Sequence, residues 1–339
     1  MMTDRGLRRC AMSFSHNILH GCADLRTVLR IFVTPNSPDN MKSDQLTFVL
    51  FGNDYRKNAT ATVSKILTFL LDRGAKIYME TALHDYLATH EPRLCEGIEP
   101  FGSIDVDADF AISMGGDGTF LRAAAHVIDR NIPLLGINTG RLGYLADVHP
   151  CDVESALSVI FEGNYTLEQR SVLQVTCGAS ELLAHPYALN DIAILKRDNA
   201  SMIDIKTIVD EEHIITYRAD GLIVSTPTGS TAYSLSNGGP IMVPQAPIIG
   251  LTPVAPHSLG IRPLVLSDDV EIQLHVASRS HNYLVAVDGR SVSCSDDNPL
   301  IIRKAQRQLP MLKTGRQSYF TTLKEKMMWG RDNREEECP

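Results

Sequence analysis

The chain has 339 residues, 44% of them hydrophobic and 21% charged, so it can bury a sizeable core and is long enough for two domains. Its formal net charge of −8 argues against broad, non-specific nucleic-acid binding, which needs a basic face to displace counterions from the phosphates. No stretch approaches the ~18 uninterrupted apolar residues of a membrane span, and the cysteines stand singly, without zinc-ligand spacing; the expectation is a soluble, cytoplasmic protein in a reducing compartment with no structural metal.

Residues 1–40 carry arginines and few acids but lack the apolar segment of a secretory signal. They are expected to be a poorly ordered extension, or to reflect a start assigned too far upstream of Met41, with an organelle transit peptide as the alternative. From Met41 strand and helix signals alternate. LTFVLFG (46–52) is a short apolar run ended by glycine, and NATATVSKILTFLLDRG (58–74) has helical spacing, with Ile66, Phe69 and Leu70 on one face and Gly74 as a stop. AKIYME (75–80) predicts a strand, HDYLATH a short helix, and DADFAISMG (107–115) a strand running into the glycine loop GGDGT. FLRAAAHVIDR (120–130) predicts a helix and IPLLGINTG (132–140) another buried strand.

This alternation implies a Rossmann-like parallel sheet with right-handed crossovers, whose ligands bind beyond the carboxyl ends of the strands. GGDGT lies at such an end, and Gly115, Gly116 and Gly118 leave Asp117 as the side chain projecting from the loop. The following helix would offer its N-terminus to a phosphate. The turn NTGRLGYL (138–145) should line the same crevice.

DVESALSVIFEGN (152–164) predicts one more helix; thereafter β-rich runs dominate, including SVLQVTC, LNDIAILK, MIDIKTIVD, EHIITYRADGLIVSTP, DVEIQLHVAS and YLVAVDG. The expected architecture is therefore an α/β domain over 41–150, a mostly antiparallel β-sandwich over 151–300, and a segment over 301–339 packing back on the first domain. YRADGLIVSTPTGSTAYSLSNGGPI (217–241) gathers small hydroxyl residues and glycines, which let a backbone approach a ligand and donate to it; the blander reading is a turn whose hydroxyls satisfy their own backbone.

GGDGT, NTGRLGYL, LNDIAIL, RADGLIVSTPTGSTAYSLSNGGPI, TPVAPHSL and VAVDGR, in that order, resemble the NAD kinases over roughly residues 45–330. GGDGT alone also resembles the glycine loop of diacylglycerol, sphingosine and phosphofructo-kinases; the GSTAYSLSNGGPI and PHSL stretches decide the matter. The resemblance implies phosphate transfer from ATP, or from polyphosphate, to the adenosine ribose 2′-hydroxyl of NAD, giving NADP. It also implies a divalent metal, Mg2+, carried by the donor over the GGDG loop, NAD lying between the α/β domain and the β-rich dinucleotide-binding domain, and a homodimer or homotetramer in which a neighbour completes the dinucleotide site.

By the same resemblance Asp117 accepts the hydroxyl proton, Gly115, Gly116, Gly118 and Thr119 face the donor, and Asn190 and Asp191 contact NAD, where this chain has the shorter acid. Arg218 and Asp220 match positions that contact substrate, and Thr231, Ala232, Tyr233, Ser234, Leu235 and Ser236 match the dinucleotide loop. Tyr233 could stack on a ring and Ser234 donate to a ribose or amide, while Leu235 suits packing equally well. Arg290, after Asp288 and Gly289, falls near a substrate contact; His257 reads as structural. The bland readings are a loop-capping aspartate for Asp117, a turn for Asn190–Asp191, and surface ion pairs for Arg218 and Asp220. A lipid kinase or a non-catalytic dinucleotide-binding regulator are the alternatives: the first calls for a membrane-facing surface, and the second has no use for Asp117.

Overall fold

β1 (Thr47–Gly52) reads TFVLFG, and its side chains alternate between the two faces of a sheet. Phe48 and Leu50 pack with Ile66, Leu67 and Leu70 of α1 (Lys57–Asp72), whereas Val49 and Phe51 enter a second cluster on the opposite face. Burial on both faces explains why the strand carries no alternating polar residues. The computed structural model describes residues 45–52, 57–102, 107–139, 143–177, 184–198, 201–315 and 319–327. The expected N-terminal extension lies outside the described residues.

Gly74, with φ +69°, closes α1 in the left-handed conformation that glycine adopts freely. β2 (Lys76–Glu80), α2 (Thr81–His90), β3 (Glu99–Phe101), β4 (Phe110–Gly115), α3 (Asp117–Val127) and β5 (Leu134–Asn138) continue the alternation, followed by α4 (Val153–Phe161) and β6 (Thr166–Arg170). α3 covers the Val49–Phe51 face through Phe120, Ala123, Ala124 and Val127, and α4 covers the Phe48–Leu50 face through Leu157 and Ile160.

Beyond these, β7 (Leu173–Thr176), β8 (Tyr187–Ala188), β9 (Asp191–Lys196), β10 (Ile203–Val209), β11 (Glu212–Ala219) and β12 (Gly221–Ser225) lead to a one-turn helix, α5 (Tyr233–Ser236). The chain then forms β13 (Ile248–Val254), β14 (Leu264–Ser267), β15 (Glu271–Ala277), β16 (Asn282–Val287), β17 (Arg290–Ser295) and β18 (Leu300–Lys304). β19 (Leu309–Lys313) and α6 (Tyr319–Met327) end the described part.

The first sheet has the order β3-β2-β1-β4-β5-β19-β6 and is parallel except where β6 runs against β19. The strand order reverses between β1 and β4, which opens a crevice at their carboxyl ends. The other two sheets, β11-β10-β15-β18-β7-β8 and β14-β13-β12-β9-β16-β17, are antiparallel throughout, and their inner faces share one core containing Tyr217, Ile272 and Ile302 from one and Ile192, Val224 and Tyr283 from the other. The fold is thus an α/β layer with a mostly parallel sheet plus an antiparallel β-sandwich.

EHIITYRADGLIVSTP, read from sequence as one β-rich run, is two strands in different sheets. β11 and β12 part at Asp220, and Gly221 passes so close to β9 that a Cβ there would lie 2.3 Å from the Ile194 carbonyl oxygen. β17, RSVSCS, escapes a hydrophobicity reading because most of its side chains face water. Its hairpin signal is the Asp288–Gly289 pair, which takes the two positive φ angles, +47° and +81°, that such a tight turn requires.

Phe120 ties α3 to the sheet and has no solvent exposure. Phe120→Ala is expected to lower unfolding stability by about 3–5 kcal/mol, measured by urea titration of the purified protein.

Candidate active site

Asp117 is the first residue of α3, with Gly116 as its N-cap, rather than a projection from a flexible loop. Helix formation starts there because the Gly116 carbonyl accepts from the N–H groups of Thr119 and Phe120. The carboxylate is held by the turn after β5: Oδ2 accepts from the Tyr144 N–H at 2.7 Å, and Oδ1 accepts from Leu145 at 3.0 Å and Ala146 at 3.2 Å. It therefore caps backbone, as the bland reading held, but that of a different segment 27 to 29 residues on. A carboxylate offers about four lone-pair directions. Three are used, and the one remaining belongs to Oδ2.

The glycines of this loop divide by role. A Cβ on Gly115 would lie 2.4 Å from the Thr119 hydroxyl oxygen, and one on Gly143 would lie 2.0 Å from Asp117 Oδ1, so both are required by close packing. Gly116 and Gly118 are exposed and have no protein atom near where a Cβ would stand. Only this second pair leaves room for a ligand. Thr119 is buried, its hydroxyl turned toward Gly115.

A similar device builds the sandwich side. Asp288, at the β16–β17 turn, accepts from the N–H groups of Leu189, Asn190 and Asp191 at 2.8, 2.8 and 3.1 Å. Asn190 and Asp191 are buried by this corner. The Asn190 carbonyl accepts from Thr226 N–H, and Gly229 lies against it so closely that a Cβ would approach to 2.0 Å. Burial, with the Asp288 charge beside it, pushes the Asp191 carboxyl up from 3.8 to about 7. Asp288 is also raised by burial, opposed by its three amide donors, which favour its ionised form.

The hydroxyl-rich loop faces both ways. Thr226 donates to the Leu189 carbonyl at 2.6 Å and accepts from Gly229 N–H, while Ser230 donates to the Pro227 carbonyl at 2.7 Å and accepts from Met242 N–H. Ser234 is buried and shares a 2.9 Å hydrogen bond with Thr252; a Cβ on Gly239 would reach its Oγ at 2.1 Å. These hydroxyls hold the turn together. Tyr233 and Ser236 point to solvent, with Thr231, Ala232 and Leu235 half-buried between.

Arg218 and Asp220 lie elsewhere. Arg218 makes a two-point ion pair with Asp204 across the exposed β11–β10 edge, and Asp220 pairs with Lys196 at 2.7 Å. Lys196 ends β9 and Asp191 begins it, so five strand steps, about 17 Å, separate that pair from the Asn190–Asp191 corner. His257 is exposed and donates its backbone N–H to the Arg218 carbonyl. Arg290 is exposed at the start of β17, and its charge reaches both Asp288 and the half-buried His126 of α3.

Two residues escaped the sequence reading. Tyr144 lies within NTGRLGYL but showed only a turn signal; its hydroxyl is buried without a hydrogen-bond partner among the described residues. Lys326 of α6 stands over the Tyr144 ring, its Nζ 4.9 Å from the centroid. Burial lowers its ammonium from 10.5 to about 8, opposed mainly by Asp117 and Asp147. No sequence signal links it to a residue 182 positions earlier, since only α6 packing brings them together. Nearby, Lys313 pairs with Asp147 and Arg170 with Glu168, and Tyr319 donates to the Met242 carbonyl at 3.3 Å. Among the described residues, no three His, Cys, Asp or Glu side chains cluster to hold a metal ion. No helix of the described part is long and apolar enough to cross a membrane.

Residues 48–165 match the family model of the ATP-NAD kinase N-terminal domain, and 189–314 match that of the ATP-NAD kinase C-terminal domain. The NAD kinase of Bacteroides fragilis is 49% identical, covering 85% of this chain and 100% of that protein; that of Flavobacterium psychrophilum is 37% identical over the same shares. Among solved structures, an NAD kinase from Archaeoglobus fulgidus in complex with ATP aligns with TM-score 0.63 and 28% identity, covering 84% of this chain and 99% of that one. Yeast NADH kinase complexed with NADH shares the fold, with TM-score 0.79 at 20% identity over 89% of this chain and 92% of that one.

Fold, glycine loop and relatives together define a kinase, an enzyme of phosphoryl transfer. The chain belongs to the NAD kinase family. That membership sets aside the lipid-kinase alternative.

Two variants test the scaffold of the site. The unfolded chain ionises Asp191 near 3.8 and the folded protein near 7, so the stability that the bound proton confers is complete below pH ~4 and is lost as pH rises toward 7. Melting temperatures of the parent and Asp191→Asn should therefore diverge in favour of the variant from about pH 4 to 7 and run parallel above. Gly143→Ala drives a methyl into the Asp117 carboxylate and should lower stability by about 1–3 kcal/mol in chemical denaturation.

Proposed function

We propose that this protein phosphorylates the adenosine ribose 2′-hydroxyl of NAD with ATP, making NADP, and that Asp117 takes the hydroxyl proton. The hydroxyl oxygen forms a bond to the terminal phosphorus, the bond from that phosphorus to the bridging oxygen breaks, and ADP leaves. The observation that carries the reading is the Asp117 carboxylate: three amides hold it at the switch point of the sheet, and one Oδ2 lone pair remains to orient a hydroxyl and accept its proton late in the reaction.

The α3 N-terminus and the open space at Gly116 and Gly118 suit the donor's phosphates, with Gly115 and Thr119 shaping the turn beneath. The archaeal relative solved with ATP supports ATP as the donor. Asn190 and a protonated Asp191 would grip the dinucleotide together with Thr231, Ala232, Tyr233 and Leu235, while Ser234 supports that loop from inside and Ser236 lies at its rim. Arg290 would add charge beside the corner.

Mg2+ fits this site through the donor rather than through a protein cage, since such an ion is commonly held by phosphates with one or two carboxylates. Bound there, it offsets charge on the phosphate oxygens. Asp220, paired with Lys196 at the far end of β9, lies too far along that strand to join Asp191 within one chain, which favours a homo-oligomer where Asp220 and Arg218 complete a neighbour's site. The scattered cysteines, with Cys95 and Cys151 free among the described residues, accord with work in the cytoplasm.

The test is a coupled assay of NADP formation from NAD, ATP and magnesium. The parent is expected to be active, to lose activity when the metal is chelated, and to lose on the order of a hundred- to ten-thousand-fold with Asp117→Asn or Asp117→Ala, assayed at a temperature where each variant is folded, since both should melt below the parent when the amides of 144–146 lose their carboxylate acceptor. Activity surviving in both variants would remove Asp117 from the chemistry. No NADP from a folded parent that binds NAD would support a dinucleotide-binding regulator instead.

A further inference from the structure

α6 carries a cation, Lys326, without a hydrogen-bond partner among the described residues. Thr322 and Leu323 bury one side of the helix, and Lys326, in the last turn, follows them inward. Its Nζ is shut off from solvent and has no hydrogen-bond partner among the described residues, although an ammonium carries three donors. The Tyr144 ring beneath it contributes a cation–π attraction but accepts none of those hydrogen bonds.

Every nearby acid is engaged or directed elsewhere. Asp147 is paired with Lys313, which also repels Lys326. Glu325 is exposed. Three lone-pair directions of Asp117 are occupied by the amides of 144–146, the first of which belongs to the residue under Lys326. A buried, unpaired ammonium works against folding, and replacing such a charge by an apolar residue is commonly neutral or stabilising. Its position beside the carboxylate at the ligand end of the sheet calls for an anionic partner arriving from outside.

We propose that Lys326 is an anion-binding residue of the Asp117 site, closing from α6 onto the phosphates of a nucleoside triphosphate. The assignment rests on the kinase reading for the identity of the anion, while the site itself rests on the unpartnered Nζ over Tyr144. A compact ammonium with three rotatable donors suits phosphate oxygens, and the orphaned Tyr144 hydroxyl offers a further donor on the same ring. The charged and titratable groups that face Nζ are Asp117, Asp147, Lys313, Glu325 and Tyr144.

Calorimetric titration of the full-length protein with magnesium-ATP, and separately with tripolyphosphate, would be compared for the parent, Lys326→Met and Lys326→Arg, with NAD as a control ligand. Loss of one charge-assisted contact should weaken binding of both polyphosphates by Lys326→Met about ten- to a hundredfold. Binding of NAD should be unchanged, Lys326→Arg should restore part of the loss, and the melting temperature of Lys326→Met should equal or exceed that of the parent. Unchanged polyphosphate affinity with a lowered melting temperature would make Lys326 a structural residue and overturn the proposal. The two readings separate cleanly. NADP formation by Lys326→Met at the parental KM for ATP would sink the Lys326 site and keep the kinase, whereas Lys326-dependent ATP binding in a parent that makes no NADP would do the reverse.

Discussion

Two carboxylates organise this protein by holding three successive backbone amides apiece. Asp117 captures those of Tyr144, Leu145 and Ala146, and Asp288 captures those of Leu189, Asn190 and Asp191. A turn packed at the ligand end of a sheet has N–H groups that no neighbouring strand can reach, and leaving them buried without acceptors is costly. An ionised carboxylate satisfies three at once with charge-assisted bonds. The first aspartate joins the ends of β4 and β5 at the point where strand order reverses; the second joins the β16–β17 hairpin to the start of β9. Each corner of the site is therefore locked to an element distant in sequence.

Glycine placement follows from this locking. Gly143 is bare because Asp117 occupies the space of a side chain, and Gly229 because the Asn190 carbonyl does. Gly116 and Gly118 are bare with nothing against them. A glycine-rich loop thus mixes residues demanded by the protein's own packing with residues that keep a surface open, and the distinction needs coordinates. The hydroxyl loop behaves likewise: Thr226, Ser230 and Ser234 stitch the turn, while Tyr233 faces outward.

Charge at the site is arranged through burial. Burial, with the Asp288 charge beside it, raises the Asp191 carboxyl to about 7, and burial lowers the Lys326 ammonium to about 8. One corner thereby holds an acid whose pKa is raised to about 7, and the other an ammonium without a hydrogen-bond partner among the described residues. The C-terminal return makes the second possible: β19 enters the first sheet between β5 and β6, and α6 follows it to the Tyr144 turn.

Much of this was legible in the residues alone. Apolar runs ended by glycine marked β1, β4 and β5, because strands buried on both faces carry few polar residues, and the helical spacing of Ile66, Phe69 and Leu70 marked α1. The quoted motifs singled out Asp117, Asn190 and Asp191 because local backbone demands recur as short sequence signatures, and the structure places Asp117 and the Asn190–Asp191 pair in carboxylate-capped corners. Less legible were β17, whose exposed face hides its period, the change of sheet at Asp220, and the distance between Asp220 and the Asp191 corner. Local sequence thus determined the elements, the glycine loop and the acid within it. Tertiary structure alone decided what that acid holds, which glycines stay open and which lysine comes to rest over the Tyr144 ring, because those outcomes depend on contacts between segments up to 182 residues apart, where no local period or propensity reaches.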